Sequence, residues 1–147
     1  MPFPPVNWLA ILVAAIVIFI LGGLWYSPAL FAKKWIALQN RTEEQAQAQM
    51  ASSNMPLMYL SAFITGFIIS TVMAHLLSHM MSGPDHVMHP GLHHGAMFGF
   101  LCWLGFAAPT SYATYLFSGK PKQLWLIDST YNLVSFVLAG AILATWR

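Results

Sequence analysis

Four apolar runs organise this chain, covering about residues 7–26, 57–81, 95–117 and 124–146. Each is close to the roughly 20 residues that a helix needs to cross a ~30 Å hydrocarbon core at ~1.5 Å per residue. Runs of this kind leave few folding solutions, because in hydrocarbon every backbone N–H and C=O must be bonded internally, and a helix does this within one segment. The composition agrees: 58% of the residues are hydrophobic and 7% charged, whereas soluble domains carry about a quarter charged residues. The expected fold is all-α, an integral membrane four-helix bundle forming a single transmembrane domain over 1–147, with too little chain left for a second domain.

The ends of the runs are marked by Trp8, Trp25, Tyr26, Tyr115, Trp125 and Trp146, amphipathic rings that suit the headgroup level. Met1-Pro-Phe-Pro-Pro lacks the positive start of a signal peptide, so the first run reads as a retained helix. Lys33, Lys34 and Arg41 lie between the first two runs, Lys120 and Lys122 between the last two, and Arg147 alone on the other side. By the positive-inside rule, loops 27–56 and 118–123 are expected in the cytoplasm and both termini outside, in a bacterial inner membrane. The small, scattered charge excludes a nucleic-acid surface, and the sole cysteine, Cys102, excludes an internal disulfide.

Loop 27–56 should hold short amphipathic helices. Ser27-Pro28 has the N-cap and first-turn pattern for a helix through Phe31, Trp35, Ile36 and Leu38, with Lys33 and Lys34 at the lipid headgroups and Trp35 dipping inward. Thr42 and Gln45 have capping-box spacing for a second, polar helix that ends near Ser52-Ser53-Asn54.

All six histidines fall between positions 75 and 94. His75 and His79 are one helical turn apart at the outer end of the second run, beside Thr71 and Ser78, and His86, His89, His93 and His94 follow in an outer loop over 82–94. With Asp85, Met80, Met81 and Met88 nearby, these residues suit an outer-face transition-metal site, copper or zinc, since imidazole binds both and thioether favours Cu(I). The alternative is a polar, pH-responsive loop. Neither an H-E-x-x-H helix nor a cysteine pair is present, and a heme held by two histidines has no attachment motif behind it.

Asp128 is the only carboxylate inside a run, and an ionisable group in hydrocarbon is a functional candidate. Asp128, Tyr131, Asn132 and Ser135 recur at i, i+3, i+4 and i+7, one stripe of the fourth helix. Thr110, Ser111 and Thr114 lie at similar depth on the third run, and Tyr26 ends the first. The cluster reads either as a proton or ion relay or as an interhelical hydrogen-bond knot; a relay needs further ionisable groups through the bundle, and the sequence offers none.

Gly91, Gly95 and Gly99 repeat every four residues, as do Gly140 and Ala144, while Gly22-Gly23 and Pro109 suggest kinks or close contacts. Such faces serve helix packing or dimerisation. With no nucleophile and base, paired carboxylates or phosphate loop, the leading expectation is a non-enzymatic membrane protein, acting by self-association as a homo-oligomer or as a small subunit of a membrane complex, with the bilayer as its surroundings. The runner-up is a small transporter or channel for protons, ions or metal centred on Asp128. A lipid- or quinone-directed enzyme ranks below both.

Several segments together resemble the family catalogued as domain of unknown function 1761: Asn7-Trp8, Leu21-Gly-Gly-Leu-Trp-Tyr-Ser-Pro28, Trp103-Leu-Gly-Phe-Ala-Ala-Pro-Thr110, Leu126-Ile-Asp-Ser-Thr-Tyr131, and Gly140-Ala-Ile-Leu with Trp146. The resemblance implies a small four-helix membrane protein and no particular activity. Asn132 stands where the family often has a histidine, which weakens a proton relay there, and the histidine-rich loop is particular to this chain.

Overall fold

The computed structural model describes residues 4–82 and 89–146. Among them there are six helices and no strand: α1 (Trp8–Trp25), α2 (Ala32–Leu38), α3 (Glu43–Ser52), α4 (Met55–Met81), α5 (92–117) and α6 (Lys122–Thr145). Three of these, α1, α4 and α6, are continuous and apolar enough to cross a membrane. The third apolar run departs from a plain span. Helix α5 begins at Leu92 and passes through a π-helical segment, Trp103–Ala107, so that its two α-helical stretches have 11 and 10 residues. His93 and His94 therefore stand in the first turn of α5 and not in the outer loop.

Local chemistry sets the helix starts. The Asn7 side chain accepts hydrogen bonds from the Leu9 and Ala10 N–H groups at 3.0 and 3.1 Å, capping α1. Asn54 does the same for α4 through the Leu57 N–H at 3.2 Å. Thr42 and Gln45 form the reciprocal capping box of α3. Ser27-Pro28 does not start a helix: the Ser27 hydroxyl donates back to the Leu24 carbonyl at 2.7 Å, the chain turns through Phe31, and α2 begins only at Ala32. The hydroxyl is turned back toward α1, and the Leu30 and Ala32 N–H groups donate to the Ser27 carbonyl instead, at 3.0 and 3.2 Å. Asn40, at φ 55°, closes α2 in the left-handed conformation that asparagine tolerates.

Helix α6 is the hub, packing against α5, α1 and α4, while α5 reaches the rest almost entirely through α6. The apolar core gathers Ala10, Ile11, Ala14 and Ile18 of α1, Met73, Leu77 and Met81 of α4, Phe98 and Cys102 of α5, and Ala139, Leu143 and Ala144 of α6. Most of these lie at the end of the bundle where α1 starts and α6 stops. At the opposite end residues 56–62 of α4 are exposed without interruption, Tyr59 and Phe63 meeting Phe19 of α1 edge-on at 6.2 and 6.1 Å.

The α5–α6 contact is a backbone-to-backbone approach. A Cβ placed on Gly95 would sit 2.1 Å from the Gly140 carbonyl oxygen, one on Gly99 2.1 Å from that of Phe136, and one on Gly140 2.1 Å from that of Gly95. With lipid tails as apolar as the side chains, such van der Waals fit is what holds membrane helices together. The small-residue faces expected from the sequence are thus used within the chain. Gly22 has a different purpose: it admits the Tyr131 ring, whose hydroxyl would lie 3.1 Å from an added Cβ. Helix α1 runs unbroken through Gly22-Gly23.

Candidate functional site

The open end of the bundle is closed by one carboxylate. Asp128, half-buried in the second turn of α6, accepts hydrogen bonds at Oδ1 from the Tyr26 hydroxyl at 2.6 Å and from the Trp35 indole N–H at 3.0 Å. At Oδ2 it accepts from the Tyr115 hydroxyl. Four segments meet there: the end of α1, the short helix α2, the end of α5, and α6. Both oxygens have donors, as a carboxylate removed from water requires.

A belt of indoles surrounds it. Trp25 donates to the Ile127 carbonyl at 3.1 Å, Trp103 to the Ser129 carbonyl at 2.9 Å, and Trp125 to the Ser111 hydroxyl at 3.0 Å. Tyr131 donates to the Ile18 carbonyl at 3.3 Å and meets the Tyr26 ring edge-on, with centroids 5.5 Å apart. Trp25, Tyr26, Tyr115 and Trp125 therefore turn their polar ends toward protein acceptors and not, as the sequence suggested, toward headgroups. Acceptors fixed on a neighbouring helix compete well with a mobile interface. Trp8 and Trp146 do remain exposed.

Of the residues singled out from sequence, Asp128, Tyr26 and Tyr131 come together here. Ser135 is buried two turns along α6, and Asn132 is half-buried outside this set of bonds. Thr110 and Thr114 are not in the cluster. Both are exposed, and their hydroxyls donate back to carbonyls of their own helix, Phe106 and Ala107 for Thr110, Thr110 for Thr114. The cause is the π-helical segment. One extra residue in a helix turns everything after it by about 100°, so Ser111 and Tyr115 face α6 where regular periodicity would have put Thr110 and Thr114. Trp35, Tyr115 and Trp103 were missed as site residues: Tyr115 was read as marking a membrane boundary, Trp35 as dipping inward from a surface helix, and Trp103 only as part of a family motif.

Trp35→Phe keeps a six-membered aromatic ring and removes the indole N–H donor. The expected result is a local loss of about 1 kcal/mol, seen as faster protease cleavage in 27–54 with the remaining helices still protected; unchanged cleavage would mean that the indole N–H does not hold α2 down.

At the other end, the His75 Nδ1–H donates to the Thr71 carbonyl at 2.9 Å and the His79 Nδ1–H to the His75 carbonyl at 3.1 Å. The His75 ring also meets Trp8 edge-on at 6.4 Å between centroids. His93 and His94 lie 5.8 Å apart, and His89 and His94 6.2 Å apart, between ring centroids. Among the described residues no three His, Cys, Asp or Glu side chains are grouped to hold a metal ion. Asp85, His86 and Met88 lie outside the described residues. Met81 and Ser78 are buried, Ser78 donating to the Pro5 carbonyl at 3.0 Å, and both line a cavity at this end of the bundle with Asn7, Leu77 and Trp146.

Among the described residues three helices are long and apolar enough to cross a membrane, pinned at one end by a bonded carboxylate and an aromatic belt, which is consistent with a helical membrane protein. The family model for DUF1761, "Protein of unknown function", matches residues 9–144, and the chain belongs to that family. No curated protein and no solved structure matches it.

Proposed function

We propose that the chain is a non-enzymatic four-span membrane protein that acts by associating with a second copy of itself in the bilayer. In this reading α5 is the fourth crossing: its 26 residues, 92–117, carry no Asp, Glu, Lys or Arg and extend ~39 Å at ~1.5 Å per residue. Loops 27–56 and 118–123 face the cytoplasm, with five of the six Lys and Arg residues on that side.

The observation that carries the proposal is the first third of α4. Residues 56–62 are all exposed, and although Tyr59 meets Phe19 of α1 edge-on at 6.2 Å and Met58 lines a cavity beside α2 and α3, about half of the surface of Leu57, Met58, Tyr59 and Leu60 is left uncovered. Ser61 and Thr65, four residues apart and both exposed, give it a small, hydroxyl-bearing face of the kind that pairs membrane helices. The other devices suited to association, the Gly95/Gly99/Gly140 contact and the Asp128 cluster, are used within the chain. The carboxylate's donors support a structural role over a relay.

Disulfide crosslinking of Ser61→Cys in proteoliposomes of the purified protein tests this reading, Cys102 being buried. A dimer-sized product is expected from Ser61→Cys and not from Leu126→Cys, which is exposed on α6. A monomeric native mass together with equal crosslinking at both positions would overturn it.

A further inference from the structure

Between the α2–α3 hairpin and the start of α4 lies a partly enclosed cavity of about 520 Å³, within the range of small-molecule sites. Its apolar walls include the aromatic rings of Tyr26 and Trp35, the side chains of Ile36 and Ala46, and Met50 and Met58. The polar hydrogens of both aromatic residues are turned away toward Asp128, so they offer the cavity ring faces. Lys33 and Arg41 also line it, against one carboxylate, Glu43. The Arg41 guanidinium donates to the neutral side-chain oxygen of Gln49, which leaves its charge unneutralised by that bond.

Position adds to chemistry. The cavity sits where α1 ends and α4 begins, at the limit of two membrane-length apolar segments, and Met58 belongs to the exposed first part of α4. One side thus adjoins the apolar zone and the other carries two cations. Neither α2 nor α3 buries a single residue fully, so apart from the Trp35 bond little holds the hairpin over this space. A ligand that fits must be apolar at one end and anionic at the other.

From these features we infer that the cavity is a binding site for an anionic glycerophospholipid, its phosphate between Lys33 and Arg41 and the upper part of a chain against Ile36, Met50 and Met58. Met58 shares its face of α4 with Ser61 and Thr65, so the site and the pairing of α4 meet at that residue; the site is built within one chain, and lipid binding is read on the monomer.

The test is native mass spectrometry of the full chain in mild detergent, titrated with phosphatidylglycerol or phosphatidylcholine. Phosphatidylglycerol is expected to bind more tightly. Removing a cation near a charged headgroup weakens binding roughly 5-fold, and removing two roughly 30-fold, so Lys33→Gln/Arg41→Gln should lose about 30-fold for phosphatidylglycerol with phosphatidylcholine unchanged. Ala46→Trp, which fills the cavity, should weaken both lipids while the protein's elution volume stays the same. Equal affinity for the two lipids, an unchanged affinity in the double variant, or displacement of phosphatidylglycerol by excess inorganic phosphate alone would each overturn the inference. Should the double variant assemble poorly, Arg41→Gln alone decides the question in the same way through its smaller loss of about 5-fold.

Discussion

Gly99→Ala is expected to leave almost no properly assembled protein. The added methyl would fall 2.1 Å from the Phe136 carbonyl oxygen and 2.9 Å from the Val137 Cα, all of it backbone. Where side chains can give way, overpacking costs about 1–3 kcal/mol; a helix backbone has no rotamer to change, so α5 and α6 must separate along their length. Because α5 is attached almost wholly through α6, separation detaches the element. Size-exclusion profiles in detergent should show Gly99→Ala and Gly95→Ala aggregated, and Gly105→Ala, with nothing within 4 Å of its added Cβ, eluting as wild type. A Gly99→Ala variant with the wild-type profile and melting temperature would show that the two backbones are not in contact.

The second large effect is at Asp128. Alanine there removes the acceptor of three interhelical donors at once, Tyr26, Trp35 and Tyr115. Hydrogen bonds between membrane helices average about 0.6 kcal/mol and reach about 1.7, so the set contributes roughly 2–5 kcal/mol, and the orphaned donors place the loss toward the upper figure. Asp128→Asn should be milder. Its remaining oxygen can keep the Tyr26 and Trp35 donors that share Oδ1, and its amide can donate to the Tyr115 hydroxyl, which accepts as readily as it donates. Thermal unfolding in detergent should rank wild type, then Asn, then Ala. An Asp128→Ala protein as stable as wild type would mean that the carboxylate does not fasten these segments, and would reopen its use as a relay.

The helical class and three of the four expected spans were legible because segment length and hydropathy depend on bilayer thickness, a constraint that acts residue by residue; the third run is interrupted by its π-helical segment. Asp128 was legible for a related reason: a carboxylate inside an apolar run is conspicuous wherever it points. The partners of Asp128 were not. Tyr115 and Trp35 look the same in sequence whether the ring faces lipid headgroups or a neighbouring helix, and only the tertiary fold decides. Thr110 and Thr114 were grouped with Asp128 by their depth along the third run, and depth does not say which face a residue occupies; the π-helical segment beside Pro109 sets that face. Gly95 and Gly99 were recognised as a packing face, but sequence could not tell contact within one chain from contact between two. Ser27-Pro28 had the pattern of a helix start, and the competing bond to Leu24 was invisible without coordinates.

The wide turn at Trp103–Ala107 couples the two halves of α5 as a vernier couples two scales. Gly95 and Gly99 read the backbone of α6 on one side of it, Ser111 and Tyr115 read polar side chains on the other, and both readings align only with the extra residue in place. Chain length between Gly99 and Tyr115 is therefore not free to drift by a single residue, whereas the turn at 118–121, exposed and outside both readings, can lengthen or shorten without disturbing either.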